Sequence, residues 1–458
     1  MKFLALTIPE EIKILEIEGD FKGAKKRCGQ FLEKKPPEML RKRLEYEIYR
    51  IDRMRANYPF SEKEALGRLK DDIEGFSEDD FKSLVENHEL DFIKYEGKRI
   101  FERRFVDNLC FSNPAYQKKR DETKKKREES ERLLHKRLDE LLRGESPKAY
   151  RVRGRITKRL KGQKIPGEEL RCWLPLPKSD IQQRVSSGLK TDDDHFSVSR
   201  SCHPQRTVFS TKKNHRDAEF MAEFEYRITE IVSNVNPDSI RPLKVNMNAY
   251  LKEELPHIVF TPYLKNLTEE VAGDEKNPYL AAKRIYDWIT LNVKYSYMKE
   301  YKFYENLTMY AALNLHGDCG VQALLFITMC RIAKIPARWQ SGWYANPVFP
   351  GNHDWAFFYV EPYGWLPVDC SFGGARRDIP EYREFYFGNL DAYRLVTASS
   401  FMAALSPDKR FIRNDPYDNQ TGEMETELEP VESEHSEVIK EIIAFDEITD
   451  ETEKGESQ

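Results

Sequence analysis

The chain has 458 residues, with 74 Lys and Arg against 78 Asp and Glu, a formal net charge of −4 and a hydrophobic fraction of 40%. This length predicts about two to four domains, and seven scattered cysteines do not predict a disulfide framework. No apolar segment approaches the length of a membrane span, and the apolar run at the N-terminus is too short for a signal peptide. We therefore expect a soluble, cytoplasmic protein with no membrane partner.

Residues 1–145 are predicted to form a helical region. Two helix starts are marked by a serine cap with an acid three residues later, Ser61 with Glu64 and Ser77 with Asp80. Residues 117–143 read as a charged helix of mixed sign, which is typical of a solvated spacer. It lacks the aromatic residues or motif of a nucleic-acid site, so nucleic acid is not an expected partner. A protein partner is one role left open for this helical region.

Residues 146–235 change to a β-rich pattern. Apolar and polar residues alternate from Tyr150 to Thr157 and again from Phe220 to Ile228. Short strands at such spacing predict an antiparallel, β-sandwich-like domain.

Residues 236–415 contain the candidate chemistry, beginning with Cys319. The sequence Gly317-Asp318-Cys319-Gly320 precedes apolar residues at helical spacing, which places Cys319 at a helix start. Backbone N–H groups and the helix dipole favour an anion there, so the thiol pKa is expected to be lowered. The alternative is a buried cysteine that only packs a helix start.

His353 opens an aromatic-rich strand, and residues 365–369 are predicted to return beside it as a hairpin. Two such strands can bring His353 and Asp369 together, with one imidazole nitrogen on the acid and the other free. A thiol, a base and an orienting acid are what a cysteine nucleophile needs. A zinc site is disfavoured because His316, three residues before Cys319, has no second close pair of ligands. We expect no metal and no cofactor.

These motifs resemble the transglutaminase-like (papain-like) superfamily of cysteine enzymes, over roughly residues 280–374. The matching motifs are Gly-Asp-Cys-Gly at 317–320, His-Asp-Trp at 353–355 and Trp-Leu-Pro-Val-Asp at 365–369. The resemblance implies an α+β fold, in which a papain-like core packs its cysteine helix on an antiparallel sheet. It also implies a catalytic triad of Cys319, His353 and Asp369. Residues 173–177 resemble the β domain that precedes such cores in bacterial relatives.

The resemblance further implies an aromatic residue upstream of the cysteine that helps line the oxyanion site. The sequence leaves three candidates for this role: Trp288, Tyr295 and Tyr297. Three other aromatic residues are candidates for walls of the substrate groove: Trp339, Trp343 and Trp355. After the triad, residues 385–394 are predicted either to cover one side of the site or to form a packed strand.

Residues 416–458 are predicted to be an acidic, disordered tail. From Glu423 onward there are 14 acidic residues and two lysines, so the segment is expected to be dispensable for folding. Two alternatives are masking of a basic groove and docking of residues 438–445 as a short helix.

The leading functional hypothesis is a thiol-dependent amide hydrolase, a peptidase or amidase that acts through an acyl-enzyme on a peptide or protein. Alternatives on the same core are acyl transfer to an amine, as in transglutaminases, and cleavage of a glycosyl amide. Hydrolysis is favoured because no calcium-loop pattern of spaced acids appears. The rival class is a catalytically silent binding module.

Overall fold

The computed structural model describes residues 2–449, apart from residues 114, 120, 122, 187, 194, 415 and 416. Helical and sheet regions are combined in a mixed α+β architecture, as expected from the sequence. Within these residues, no helix has both the length and the apolar character that crossing a bilayer requires.

The first part of the chain is mostly helical and encloses two small hydrophobic cores. Its elements are α1 (Glu10–Glu18), α2 (Phe21–Glu33), α3 (Glu38–Asn57), β1 (Phe60–Ser61), α4 (Glu62–Asp72), α5 (Glu78–Glu86), β2 (Phe92–Tyr95), β3 (Lys98–Phe101), α6 (Phe105–Ser112) and α7 (Lys124–Leu142). The predicted caps are confirmed, since Ser61 and Ser77 each form a capping box with the acid three residues later. The small sheet β1-β3-β2 was not predicted, because strands this short carry little alternation.

The prediction that the charged helix is a solvated spacer is wrong. Helix α7 buries Leu134, Leu138 and Leu141 in the large central core of the protein. These leucines share one face of the helix, a stripe too narrow to stand out among the charged positions. Arg137 Nη2 also lies 2.6 Å from Glu230 Oε2. The helix is therefore packed on the body of the protein.

The β-rich region supplies seven strands that surround a second large core. They are β4 (Ala149–Leu160), β5 (Glu169–Pro175), β6 (Gln183–Val185), β7 (Lys190–Thr191), β8 (Phe196–Val198), β9 (Thr207–Lys213) and β10 (Glu219–Thr229). Strands β4 and β10 pair antiparallel along their whole length, from Ala149 opposite Thr229 to Arg159 opposite Glu219. Alternate side chains of both strands, including Val152 and Phe220, point into the core.

The central region forms the α+β core that contains the candidate site. Its elements are α8 (Pro262–Ala272), α9 (Pro278–Asn292), β11 (Lys294–Tyr295), α10 (Leu307–Asn314), β12 (His316–Gly317), α11 (Cys319–Ile332), β13 (Ala337–Tyr344), β14 (Gly351–Val360), β15 (Gly364–Val368), α12 (Cys370–Ala375), α13 (Pro380–Phe385) and β16 (Arg394–Ala398). The antiparallel sheet has the order β15-β14-β13-β16. The buried helix α11 packs against β14. The predicted hairpin of β14 and β15 is confirmed, with Ala356 opposite Val368.

The prediction of a disordered tail is wrong for its described part. Strand β17 (Glu423–Glu425) pairs with β5, and β18 (Ser436–Glu447) pairs with β4. The two sheets of the β domain therefore have the orders β18-β4-β10-β6, with β7 beside β10, and β17-β5-β9-β8. Strand β18 was not predicted because its acidic side chains resemble those of a disordered segment. In the structure Glu437 pairs with Arg159 on the outer face, while Val438 packs against the core of the β domain. Residues 450–458 of the predicted tail lie outside the described residues.

Candidate active site

Cys319 is the first residue of α11, as the sequence predicts. Asp318 caps the helix, since its side chain accepts a hydrogen bond from Val321 N at 3.1 Å. A glycine is needed at position 320, because a Cβ there would lie 2.3 Å from the Tyr301 hydroxyl and 2.9 Å from Asp354 Oδ2. The thiol is thus held at a crowded helix start, with 7% of the residue exposed.

The thiol of Cys319 donates a hydrogen bond to Asp354 Oδ2 at 3.5 Å. Burial, followed by the carboxylates of Asp354 and Asp318, raises the pKa of Cys319 well above its usual value, although the backbone of Asp354 favours the thiolate. The expectation of a lowered pKa is therefore wrong for this arrangement. Cys319 does lie at a helix start, but the fold also places carboxylates beside its sulfur. The sequence around Cys319 does not predict that environment.

Asp318 has a raised pKa, of about 6, because it is buried, although hydrogen bonds from Tyr301 and from the backbone oppose the shift. Tyr301 follows the short strand β11 and donates to Asp318 Oδ1. The cap carboxyl is consequently fixed by two elements of the core.

His353 and Asp369 are in direct contact, with His353 Nε2 2.6 Å from Asp369 Oδ2. Both side chains are buried. The second ring nitrogen, Nδ1, takes no part in this contact. Burial lowers the pKa of His353 despite the opposing charge of Asp369. The imidazole is therefore held as a neutral base in a fixed orientation.

Asp369 ends the hairpin and caps α12, where Phe372 N donates to its Oδ1 at 2.9 Å. Arg394 Nη1 donates to Asp369 Oδ2 at 2.7 Å. Burial alone would raise the pKa of Asp369, but the interactions with His353 and with the Arg394 guanidinium hold it well below its usual value. The carboxylate beside the imidazole is therefore ionised.

Arg394 is buried between two carboxylates. Its second contact is Asp391, with Nη2 2.6 Å from Oδ2 and Nε 3.3 Å from Oδ1. The sequence left two alternatives for residues 385–394, a loop that covers the site and a packed strand. The structure shows a packed segment, since Leu390 to Arg394 lead into the buried strand β16. Sequence reasoning missed Arg394 and Asp391 because no local motif connects them to Asp369, and Arg394 is 25 residues away from it.

Gln420 is a second residue that sequence reasoning missed. Its Nε2 donates to Asp354 Oδ1 at 2.8 Å and to the main-chain oxygen of His353 at 3.1 Å. This residue lies in the segment that the acidic composition assigned to a disordered tail. It connects the C-terminal part of the chain to the strand that carries the imidazole.

The candidate residues open into a cleft of about 710 Å³ that is lined by Cys319, His353 and Asp354. The N-terminal region forms part of its wall through Arg104 and through Arg127 and Glu131 of α7. Glu131 pairs with Arg376 across the cleft, at 2.5 Å. Residues from three separate parts of the chain thus surround the thiol.

The predicted aromatic candidates have different positions. Tyr295 and Tyr297 line the cleft, and Arg104 packs over the Tyr297 ring at 3.4 Å. Trp288 packs at the edge of the central core and is not part of the cleft wall. Of the upstream aromatic residues, the two tyrosines therefore remain candidates for the oxyanion side of the site.

The assignment of Trp339, Trp343 and Trp355 to the groove wall is wrong, because all three are buried core residues that do not line the cleft. Trp355 supports His353 from beneath, with ring centroids 5.7 Å apart, and donates from Nε1 to Gln340 at 2.8 Å. Trp339 and Trp355 pack in the central core, and Trp343 packs in the core of the β domain.

His316, the remaining candidate for a metal ligand, is held by hydroxyl groups. Its Nδ1 lies 2.8 Å from Ser296 Oγ and its Nε2 lies 3.2 Å from the Tyr310 hydroxyl. Among the residues that the structure describes, no group of three or more His, Cys, Asp or Glu is arranged to hold a metal ion.

Residues 265–370 match the family model of the transglutaminase-like superfamily. The chain contains a transglutaminase-like domain. The match includes Cys319 and His353 and ends one residue after Asp369, so all three predicted triad residues lie inside this domain. The N-terminal helical region and the β domain lie outside the matched segment.

The chain is also 24% identical over 267 residues to an uncharacterized protein of Haemophilus influenzae, which covers 48% of this chain and 71% of that protein. Among solved structures it is similar to a putative cysteine protease from Cytophaga hutchinsonii, with 15% identity, a TM-score of 0.41 and coverage of 66% and 90% of the two chains. A further match is the periplasmic domain of TgpA from Pseudomonas aeruginosa, with 15% identity, a TM-score of 0.28 and coverage of 54% and 96%.

Proposed function

We propose that this protein is a thiol-dependent amide hydrolase, in which Cys319 is the nucleophile, His353 the base and Asp369 the group that orients it. The observation that carries the proposal is the 2.6 Å contact of His353 with the buried Asp369, together with a cleft that both His353 and Cys319 line. A buried acid–imidazole pair in the same cleft as a thiol supplies the groups that nucleophilic catalysis requires.

The raised pKa of Cys319 determines the order of proton transfers. The resting nucleophile is a thiol that is hydrogen-bonded to Asp354, and in the proposed step its proton moves to His353 Nδ1 as the sulfur attacks the substrate carbonyl. The carbonyl electron pair moves to oxygen, where backbone N–H groups at the start of α11 stabilise the negative charge. The imidazolium formed in this step is stabilised by Asp369.

The tetrahedral intermediate collapses when His353 returns its proton to the amide nitrogen. The carbon–nitrogen bond breaks, the amine leaves and a thioester with Cys319 remains. Water then attacks the thioester while His353 accepts one of its protons. The second collapse releases a carboxylic acid and returns the proton to the sulfur.

Hydrolysis is preferred over transfer to an amine because of the cleft lining. Charged side chains, among them Arg104, Arg127 and Glu131, line the cleft of about 710 Å³ beside aromatic ones, so it is not the purely aromatic channel that would favour exclusion of water. The same core suits acyl transfer or glycosyl-amide cleavage as alternatives. The substrate in the proposal is a peptide or protein.

A cytoplasmic location is part of the proposal, because seven unpaired cysteines suit a reducing compartment. A protein partner for the N-terminal region is a secondary element of it, supported by Ile14 and Ile17 of α1, which are 47% and 73% exposed. Cell fractionation and crosslinking from α1 test these two points.

The test is turnover of peptide and glycosyl-amide libraries in ¹⁸O-labelled water, with mass spectrometry of the products. Hydrolysis places one ¹⁸O atom in the released carboxylate, whereas transfer to an added primary amine gives an unlabelled amide. Cys319→Ala should abolish both products. A wild-type protein that binds library members but converts none of them would identify a silent binding module.

A further inference from the structure

A second cavity adjoins the catalytic cleft. It has a volume of about 390 Å³ and shares seven lining residues with the cleft. The shared residues are Arg104, Met298, Lys299, Glu300, Asn352, Asn414 and Thr421. Cys319 lines only the first cavity and Lys158 only the second. The two cavities are therefore neighbouring compartments that share part of their walls.

Parts of the chain outside the transglutaminase-like domain form a large share of the second compartment. Glu102 and Arg103 come from the N-terminal region, Lys158 from β4, and Ser436 and Val438 from β18. Val438 lies opposite Lys158 in the sheet register. The strand added by the C-terminal segment thus completes the wall of this compartment.

Buried polar side chains line the second compartment. Glu102 is 5% exposed and Lys158 is 4% exposed. Glu102 accepts a hydrogen bond from the Arg104 backbone through Oε2, and Lys158 Nζ donates to the main-chain oxygen of Thr421 at 3.5 Å. Carboxyl and ammonium groups at one site offer both acceptors and donors, which complements the N–H and C=O groups of a polypeptide main chain.

The position of the second compartment beside the first favours a chain over a small amide. Each compartment has a volume within the range of roughly 300–1,000 Å³ that is typical of ligand sites. A ligand that reaches both the thiol and Lys158 must pass the common wall. An extended polypeptide advances about 3.3 Å per residue and exposes its main chain along the way.

We propose that the second compartment is a substrate subsite, which holds the main chain of a polypeptide several residues away from the amide bond that Cys319 attacks. This inference rests on the proposed function and adds a substrate class to it, an extended polypeptide rather than a short amide. It also assigns a function to β18, since Val438 and Ser436 of this strand form part of the subsite.

The test compares probes of different length that react with the same thiol. Iodoacetamide measures the reactivity of Cys319 alone. Randomised dodecapeptides carry an iodoacetyl group at the N-terminus or, in a second set, on a C-terminal lysine, so that either chain direction is sampled. Peptide mapping gives the labelling rate at Cys319, and the ratio of the dodecapeptide rate to the iodoacetamide rate is the readout.

Val438→Trp fills the subsite, and we expect it to lower this ratio about tenfold for one of the two peptide sets. Glu437→Trp is the matched control, because Glu437 lies on the opposite face of β18 and pairs with Arg159. This control should keep the wild-type ratio. Ser433→Trp, at an exposed position that also lines the compartment, gives a second variant that does not disturb the sandwich core.

Unchanged ratios in both Val438→Trp and Ser433→Trp, for both peptide sets, would overturn the subsite. That outcome would leave the proposed function intact, because ¹⁸O incorporation with short substrates measures it separately. If the variants lower the labelling ratio but the wild-type protein hydrolyses no substrate, the polypeptide subsite is supported and the proposed hydrolase activity is refuted.

Discussion

The sulfur of Cys319 lies 3.5 Å from Asp354 Oδ2, so the candidate nucleophile rests against a carboxylate that directly follows the candidate base in the sequence. Asp354 is held in place by Gln420 through its other oxygen. A carboxylate at this position disfavours the thiolate. The resting site therefore contains a neutral thiol and a neutral imidazole, and the proton moves only during attack.

Replacement of Asp354 tests this electrostatic control. Asp354→Asn removes a negative charge beside the sulfur, so the pKa of Cys319 should fall and its reaction with iodoacetamide at neutral pH should accelerate roughly tenfold. The measurement is the pH profile of the labelling rate at Cys319. Asp217→Asn, at an exposed position, is the control. An unchanged profile would show that the charge of Asp354 does not control the thiol pKa.

Asp369→Asn should reduce turnover by about tenfold to a thousandfold, because the imidazolium loses its compensating charge. The variant also leaves Arg394 with Asp391 as its remaining carboxylate, which should cost about 1–3 kcal/mol of unfolding free energy. Kinetics on a substrate from the library screen and urea denaturation measure the two effects. Full turnover in this variant would exclude the proposed orienting role.

Arg394 is expected to act on His353 through Asp369. Arg394→Met removes a cation that lowers the pKa of His353. The pKa should rise, and the acid limb of the kcat/KM profile should move to higher pH, because the base must be neutral. Arg394→Lys retains the charge and should restore most of the wild-type profile. Loss of rate without movement of the acid limb would indicate a purely structural role.

Glu102 predicts a pH dependence of stability. Burial raises its pKa from 4.5 to about 7. When the pKa of a carboxyl is higher in the folded state than in the unfolded state, its contribution to stability is fully present below the unfolded-state pKa. That contribution is lost as the pH rises through the folded-state pKa. Between pH 4 and pH 8 this group should therefore lower the unfolding free energy by about 3 kcal/mol. Glu102→Gln should remove that decrease, whereas Glu381→Gln, at an exposed site, should keep it.

Truncation tests the C-terminal strands. A chain that ends at Gly422 loses β17 and β18, exposes the edges of β4 and β5, and should show a large drop in melting temperature or poor solubility. Ile442→Asp places a charge against the sandwich core and should cost about 2–4 kcal/mol. Glu437→Ala, on the outer face of the same strand, is the matched control and should change stability little. A wild-type melting temperature in the truncated chain would contradict this interpretation.

The sequence by itself determined the features that depend on neighbouring residues. The serine caps at 61 and 77, the helix that begins at Cys319 and the hairpin that brings His353 to Asp369 follow from local spacing, and the structure contains each of them. Local hydrogen bonds and short turns fix such features, so their signals survive in the sequence.

Tertiary structure alone decided the environment of these residues. Arg394 contacts Asp369 from 25 residues away, and Gln420 contacts Asp354 from 66 residues away. No pattern of spacing in the sequence predicts either contact. The acidic composition after Glu423 concealed a strand that pairs with β4, because edge strands carry charges on their exposed face. The pKa of the Cys319 thiol is likewise decided by the tertiary structure. A helix start lowers it locally, but burial and two carboxylates raise it, and burial is a property of the whole fold.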